Sequence, residues 1–270
     1  MADVLTEIVD RTRRDLDARK ALVPLAFVER AALARRAPGG ERFRTRLARR
    51  GAFNVIAECK RRSPSKGTIR TDYWPARIAS GYERAGAACL SVVTEPHFFG
   101  GAPSHFSEVR AATALPILWK DFILDDYQIL EARAAGADAV LLITSVVSEH
   151  YLGRLVRRAR ALGLEPLVEV RNERELCQAV EAGASTVGIN NRDLQSQRVD
   201  LATSEQLARH VPDGTVAVAE SGIRSGADLA RLAAAGYCAF LVGEALMAAS
   251  DPALALAEMI HVAEDLRHHG

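Results

Sequence analysis

The sequence predicts an α/β fold, a (β/α)8 TIM barrel with an N-terminal helical extension, within a single domain of residues 1–270. From residue 54 onward, eight short β-branched runs alternate with Ala-, Leu- and Arg-rich amphipathic stretches. Apolar runs separated by helices are typical of a parallel sheet whose outer face is covered. A segment that contains a helix end, a glycine and a strand also recurs four times, about fifty residues apart. Four copies of a two-strand module make eight strands, the number that closes such a barrel.

Residues 1–50 are predicted to form the helical extension, and residues 51–270 the barrel. The first fifty residues hold thirteen Lys and Arg against seven Asp and Glu, a charge of +6, which leaves −5 for the rest of a chain whose net charge is +1. An apolar stripe is indicated by Leu5, Ile8, Val9 and Leu16. The extension can be a solvated pair of basic helices, a lid over a ligand, a cap on the far end of the barrel or an RNA-binding arm.

The eight apolar runs are the predicted strands. They cover residues 54–59, 89–94, 117–120, 139–144, 166–170, 187–190, 216–221 and 240–243. In the repeated segment a glycine follows each helix, where a left-handed backbone costs glycine least. These glycines are Gly86, Gly136, Gly183 and Gly236. A doubly wound open sheet is the alternative fold, but its Gly-x-Gly-x-x-Gly fingerprint is absent from the first strand–helix turn.

The composition excludes several classes of protein. A chain that is 49% hydrophobic and 26% charged is neither disordered nor of low complexity. A net charge of +1 gives no field that would favour nucleic acid. Because no apolar window approaches the length of a membrane span and the N terminus has no signal-peptide core, we expect a cytoplasmic protein without a membrane partner. Four scattered cysteines and seven histidines without ligand spacing predict free thiols and no metal site.

Polar residues end most of the predicted strands, and function collects at the carboxyl ends of the strands in such barrels. Glu58 and Lys60 are two residues apart on the first strand, so both side chains point to one face, which Ile56 marks as the barrel interior. Lys120 ends the third run and is a candidate proton donor to a carbonyl. Glu169, between two valines on the fifth, is a candidate for a carboxyl group with a raised pKa.

The sixth and seventh runs add more polar groups at the same end of the predicted barrel. Asn190 and Arg192 end the sixth run, and Glu220 and Ser221 end the seventh. Buried charges cost several kcal/mol when unpaired, so this ring of acids and bases predicts a polar cavity that holds its own counterions. A salt-bridge network that only stabilises the fold is the alternative interpretation.

Two glycines near the C terminus predict a phosphate site. Gly222 and Gly243, the latter followed by Glu244, lie in the last two strand–helix loops, each directly before a helical segment. Backbone N–H groups there form the usual phosphate site of these barrels. Between the first two strands, residues 61–67 form a polar loop that contains Ser63 and is a candidate lid over an anionic substrate. A phosphorylated small molecule is therefore the predicted ligand, although tight turns and a solvated loop would leave the same pattern.

At these residues the chain closely resembles the indole-3-glycerol phosphate synthase family of tryptophan biosynthesis. The matching segments occur in family order and spacing, and they are IAECKRRSPSKG, SVVTEPHFFGG, ILWKDFILD, PLVEV, GINNRDL, VAESGI and LVGEALM. They span nearly the whole barrel, and the basic extension occupies the place of the family's extra helices. The resemblance implies a carboxy-lyase that uses no cofactor and closes a ring. Its substrate, 1-(2-carboxyphenylamino)-1-deoxyribulose 5-phosphate, loses CO₂ and water to give indole-3-glycerol phosphate.

The resemblance also implies a role for each matching residue. Lys120 resembles the general acid, Lys60 the partner of the substrate carboxylate, Glu58 the group that holds Lys60, and Glu169 the general base of dehydration. Asn190 resembles the group that orients the departing hydroxyl. The remaining members would be a polar wall of Arg192, Glu220 and Ser221, a phosphate cradle of Ser63, Gly222, Gly243 and Glu244, and a ring pocket of Phe122 and Leu194.

Trp119 departs from the family pattern, because the family often has arginine directly before the lysine that corresponds to Lys120. The sequence therefore does not predict how Lys120 is packed. Two other functions are also left open by the residues alone. An isomerase such as phosphoribosylanthranilate isomerase would need an acid–base pair that includes a cysteine, but Cys59 should point away from the interior. A catalytically silent phospho-ligand-binding barrel would keep the glycines and lose the proton donors. Oligomeric state and contacts with other tryptophan-pathway enzymes are likewise open.

Overall fold

A computed structural model describes residues 4–193 and 198–269 of the chain, and it contains a closed barrel of eight parallel strands. Each strand pairs with its neighbours in chain order, and the last closes on the first with Ala239 beside Asn54. The strands are β1 (Asn54–Cys59), β2 (Cys89–Val93), β3 (Ile117–Lys120), β4 (Ala139–Ile143), β5 (Glu165–Val170), β6 (Thr186–Asn190), β7 (Val216–Glu220) and β8 (Ala239–Val242). The predicted TIM barrel is confirmed, and every strand begins and ends within one residue of its predicted bounds.

Helices precede and surround this barrel. They are α1 (Val4–Leu22), α2 (Leu25–Ala34), α3 (Gly40–Leu47), α4 (Pro75–Arg84), α5 (Pro103–Ala112), α6 (Asp126–Ala135), α7 (Glu149–Ala161), α8 (Glu173–Glu181), α9 (Ala202–Ala208), α10 (Gly226–Ala234), α11 (Glu244–Ala248) and α12 (Pro252–His269). A short antiparallel β-ribbon, which pairs Arg62–Ser63 with Gly67–Thr68, lies in the loop between β1 and α4. Within the described ranges, no helix has both the length and the apolar character that crossing a membrane requires.

Local sequence signals place the repeated helix–strand units. The four glycines of the repeat end their helices with φ between 87° and 106°, in the left-handed region that a side chain disfavours. At the other end of α10, the Ser225 hydroxyl accepts a hydrogen bond from the Asp228 N–H, and the Asp228 carboxylate accepts one from the Ser225 N–H. This capping box satisfies backbone donors that the first turn of a helix leaves unpaired.

Alternation along the strands divides the apolar residues into two cores. Ile56, Leu118 and Leu241 pack inside the barrel, whereas their neighbours Val55 and Trp119 pack in the layer between barrel and helices. Successive strand residues point to opposite faces, so each strand serves both cores. The inner core fills the barrel toward the amino ends of the strands, and polar side chains occupy the carboxyl ends.

The N-terminal helices lie at two different places on the barrel. Phe43 and Leu47 of α3 pack into the inner core, and the Arg46 Nε donates to Ala88 O, directly before β2, at 2.6 Å. Helix α3 therefore covers the amino ends of the strands. Helix α1 instead reaches the opposite end, where Lys20 pairs with Asp125 at 2.8 Å. The extension thus contains both a cap at the amino ends of the strands and a helix beside their carboxyl ends. The sequence analysis had listed these two positions as alternatives.

Candidate active site

One cavity of about 380 Å³ opens at the carboxyl end of the barrel and gathers the polar residues that the sequence predicts. All predicted site residues inside the described ranges line it. They are Glu58, Lys60, Ser63, Lys120, Phe122, Glu169, Asn190, Arg192, Glu220, Ser221, Gly222, Gly243 and Glu244. Leu194, predicted for the ring pocket, lies outside the described residues.

Glu58 and Lys60 form an ion pair inside the cavity. The Lys60 Nζ lies 2.8 Å from Glu58 Oε1, and the Ser91 hydroxyl donates to Glu58 Oε2 at 3.1 Å. Burial alone would raise the pKa of Glu58, but the charges of Lys60 and Lys120 hold it below its usual value. Cys59, between them, is buried in the outer core, as the alternation predicts. The pair therefore presents a fixed ammonium group and a carboxylate to a ligand.

Lys120 lies between two further carboxylates. Its Nζ is 3.8 Å from Glu169 Oε2 and 3.7 Å from Glu220 Oε2. Burial alone would lower the pKa of Lys120, but Glu220 and the other carboxylates of the cavity raise it above its usual value. The group is therefore an ammonium ion across the physiological pH range, held where it can donate a proton.

Trp119 does not enter the cavity. Its ring packs against Phe106 of α5, with ring centroids 4.9 Å apart, in the layer between barrel and helices. Because Trp119 and Lys120 are successive strand residues, they face opposite sides of the sheet. The departure from the family pattern at this position thus leaves the polar surroundings of Lys120 intact.

Glu220 is a deeply buried carboxyl group whose surroundings disfavour its charged form. It is 1% exposed, and its Oε1 has no hydrogen-bond partner within residues 4–193 and 198–269. That oxygen packs against the backbone of Gly188 on β6, where any Cβ would collide with it. Burial raises the pKa of Glu220 to about 8, against the lowering effect of Lys120. A glycine on β6 therefore makes room for a buried carboxyl group that loses its proton at a higher pH than an ordinary glutamate does.

Glu220→Gln should flatten the dependence of stability on pH. A carboxyl group whose folded-state pKa is raised contributes stability that is complete below its ordinary pKa and is lost as pH rises through the folded value. For Glu220 this window runs from 4.5 to about 8. Across it, we expect the wild-type free energy of unfolding to fall on the order of a few kcal/mol more than that of the variant. Urea unfolding at pH 4.5 and pH 8 measures the difference. Glu181→Gln, at an exposed carboxylate of α8, is the control, and equal slopes for wild type and Glu220→Gln would contradict the prediction.

Asn190 links the acid–base groups to the phosphate end. Its Nδ2 donates to Glu169 Oε1 at 2.9 Å, and its Oδ1 accepts from the backbone N–H of Arg192 at 2.9 Å. The Arg192 guanidinium donates to Glu244 Oε2 at 3.3 Å, across the mouth of the cavity. One network of hydrogen bonds therefore fixes the orientation of the Glu169 carboxylate.

The loops after β7 and β8 form the end predicted to bind phosphate. Ser221 has φ 65°, the one left-handed backbone outside glycine in the described parts of the chain, and Gly222 follows with φ 83°. Such strain persists where the surrounding structure holds it, and it clusters at functional sites. A Cβ at Gly243 would lie 2.5 Å from Glu58 Oε1, so this position requires glycine. The geometry lets a ligand approach the backbone closely.

An apolar slot lies beside these polar groups. Phe122 and Phe99 face each other with ring centroids 6.1 Å apart, and both line the cavity. Val4, Leu5 and Ile8 of α1 line the same cavity. The combination of an aromatic wall and a charged wall fits a ligand that has a flat apolar part and anionic groups.

Sequence reasoning did not select several residues of the site. Asp121 lines the cavity and accepts from the Thr94 hydroxyl at 2.6 Å, and burial raises its pKa to about 6. Glu95, also buried, accepts from the backbone N–H groups of three loop residues, including Phe99 at 2.8 Å. The signal available for both was a polar residue at the carboxyl end of a predicted strand, the criterion that selected Lys120.

Comparisons with known proteins agree with these observations. A family model described as indole-3-glycerol phosphate synthase matches residues 5–259. The indole-3-glycerol phosphate synthase of Azospirillum brasilense is 46% identical over 252 residues, which cover 93% of this chain and 96% of that relative. That of Albidiferax ferrireducens is 45% identical over 271 residues, covering 97% and 100%.

Similarity to solved structures extends to more distant barrels. The thiamine phosphate pyrophosphorylase of Pyrococcus furiosus superposes with a TM-score of 0.62 at 17% identity, covering 83% of this chain and 98% of that chain. A mandelate oxidase superposes with a TM-score of 0.60 at 17% identity, covering 80% and 74%. At such identity the likeness concerns the fold alone.

Proposed function

The chain belongs to the indole-3-glycerol phosphate synthase family, and on that premise we propose how its residues carry out the reaction. The activity is that of a carboxy-lyase of tryptophan biosynthesis, which converts the anilino-ribulose phosphate into indole-3-glycerol phosphate, CO₂ and water. The observation that carries the proposed roles is the position of Lys120, with its Nζ 3.8 Å from Glu169 and 3.7 Å from Glu220 in one cavity. This arrangement supplies a proton donor and an acceptor side by side.

Lys120 is the general acid of ring closure in this proposal. As the aromatic carbon that bears the carboxylate attacks the ribulose carbonyl, negative charge develops on the carbonyl oxygen. Lys120 donates its proton there, so that the oxygen becomes a hydroxyl group. The surrounding carboxylates keep Lys120 charged before the step, and general acid catalysis of this kind contributes about 10²–10⁴-fold.

Lys60 holds the substrate carboxylate until the carbon–carbon bond breaks. Its ammonium group lies 2.8 Å from Glu58, which fixes it in the cavity and accepts hydrogen bonds from the sugar hydroxyls. When CO₂ leaves, the bond electrons return to the ring and restore its aromaticity. No cofactor is needed for this step, because positioning and charge neutralisation suffice.

Glu169 is the general base of the dehydration half. It removes a proton from the methylene carbon next to nitrogen, while the hydroxyl group accepts a proton from a lysine ammonium group of the cavity and leaves as water, so that the last double bond of the indole forms. Asn190, bonded to Glu169 at 2.9 Å, orients the departing hydroxyl. Arg192, Glu220 and Ser221 complete the polar wall that surrounds it.

The phosphate end and the ring end of the substrate bind at separate parts of the cavity. The phosphate fits the cradle formed by Ser63, Gly222, Gly243 and the backbone of Glu244, at the end where Arg192 also lies. The ring fits the slot between Phe122 and the apolar residues of α1. The phosphorylated small-molecule substrate is thereby held at three points, with its reacting carbons beside Lys120.

One incubation of purified protein with the anilino-ribulose phosphate tests the function. Indole fluorescence should rise together with release of one CO₂ per product. An isomerase would instead consume phosphoribosylanthranilate, a reading that Cys59 disfavours because its side chain lies in the outer core. If the protein were a silent binding barrel, the anilino-ribulose phosphate would stabilise it against unfolding but no product would form. Absence of fluorescence with the natural substrate would refute the proposal.

Removal of α1 should impair turnover while the barrel still folds. Deletion of residues 1–23 leaves α3 on the amino end of the strands but removes the apolar wall of Val4, Leu5 and Ile8. We expect KM to rise and kcat to fall, because the ring loses a contact and water enters. Steady-state kinetics and a melting curve on the same protein check this. A lower melting temperature with unchanged kinetics would contradict a lid role.

A further inference from the structure

The loop that carries Ser63 is attached to α11 by an arginine outside the cavity. The Arg70 Nη1 donates to Met247 O at 3.3 Å and to Ala249 O at 2.8 Å, and its Nη2 donates to Ser250 O at 3.2 Å. The last carbonyls of a helix have no donors within the helix. The guanidinium group of Arg70 therefore satisfies the carboxyl end of α11.

Arg70 also lies at the base of the β-ribbon. The Arg61 carbonyl accepts from the backbone N–H groups of Ile69 at 2.9 Å and Arg70 at 3.1 Å, which closes the ribbon. The ribbon tip reaches the other end of α11, where the Lys66 Nζ lies 3.7 Å from Glu244 Oε1. Ser65 of the tip accepts from the Arg192 guanidinium at 3.3 Å. The ribbon thus contacts both ends of one short helix, with its closer contacts at the base.

We propose that Arg70 is a positioning residue for the phosphate end of the substrate, an inference that rests on the proposed function. By holding the ribbon base on the carboxyl end of α11, Arg70 fixes the distance between Ser63 and the Gly243–Glu244 backbone. These groups all line the cavity, where they form parts of the proposed phosphate cradle. Without this contact, only the longer contact of Lys66 with Glu244 joins the ribbon directly to α11 within the described residues, and the cradle is less preorganised.

The chemistry of the contact requires arginine. A guanidinium group presents donors in a rigid planar fork, whereas an ammonium group is a single point on a flexible stem. Three carbonyls of residues 247–250 accept from one fork, with a fourth bond from Nε to Asp72 O at 3.0 Å. Lysine keeps the charge but cannot reach all of these acceptors at once.

Arg70→Ala should raise KM about tenfold while kcat stays within about twofold of wild type, since phosphate binding contributes alike to the ground and transition states. Inorganic phosphate should become a weaker competitive inhibitor by about the same factor. N-methylanthranilate, which probes only the ring end, should inhibit as before. Arg70→Lys should give an intermediate KM. Arg77→Ala, at an exposed arginine on α4, is the matched control and should behave as wild type.

A wild-type KM and wild-type phosphate inhibition in Arg70→Ala, with only a lower melting temperature, would overturn the inference. If the alanine variant does not fold, Arg70→Lys decides, because a wild-type KM in the lysine variant would equally exclude a positioning role. Failure of the proposed function gives a different result, since the wild-type protein itself would then form no indole.

Discussion

Lys120→Ala should abolish ring closure. Attack of the aromatic carbon on the ketone places negative charge on the carbonyl oxygen, and loss of a general acid typically costs about 10²–10⁴-fold in rate. The replacement also leaves Glu58, Glu169 and Glu220 in one cavity without their shared cation. The expected fall in kcat is therefore at or above this range, as measured by indole fluorescence at saturating substrate.

Trp119→Phe is the matched control for this variant. Trp119 adjoins Lys120 in the chain but packs on Phe106 in the outer core, so its replacement should leave kcat within about twofold of wild type. Lys120→Ala should retain a native circular dichroism spectrum, so that the loss of rate is not a loss of fold. Retention of more than about a tenth of the wild-type kcat in Lys120→Ala would refute its assignment as the general acid.

Glu169→Gln should give the second largest loss, of about 10²–10⁴-fold in kcat with a smaller change in KM. Glutamine has the same shape and can still accept the hydrogen bond from Asn190, but it cannot take up the proton released in dehydration. A variant that keeps the wild-type kcat would show that Glu169 is structural.

The barrel was predictable because its signals are local and repeated. A helix end and a glycine followed by a β-branched run recur four times, about fifty residues apart, and Gly136 and Gly183 adopt the left-handed backbone that this pattern requires. Parity along a strand then assigns Glu58 and Lys60 to the interior and Cys59 to the outer layer. Convergence of the site residues follows directly from the topology, since parallel strands end at one mouth.

What the sequence did not predict depends on distant contacts. The position of α1 follows from its contacts with residues about a hundred positions away, such as Arg19 with Glu131 at 2.8 Å. The raised pKa of Glu220 requires Gly188 on a neighbouring strand and burial that no local pattern reveals. Nothing in the sequence near Arg70 indicates that its partners are carbonyl groups at the end of α11, which lies far away in the chain. Each of these features depends on contacts that form only when the barrel has closed.

The division of labour between Lys120 and Glu169 is the central claim, and a single-turnover measurement of CO₂ and indole tests it most directly. With enzyme in excess over the anilino-ribulose phosphate, wild-type protein should form both products in equal amounts. Glu169→Gln should release CO₂ without forming indole, because condensation and decarboxylation precede the step that needs the base, whereas Lys120→Ala should release neither product. Formation of CO₂ and indole together, at one reduced rate, in Glu169→Gln would contradict the account.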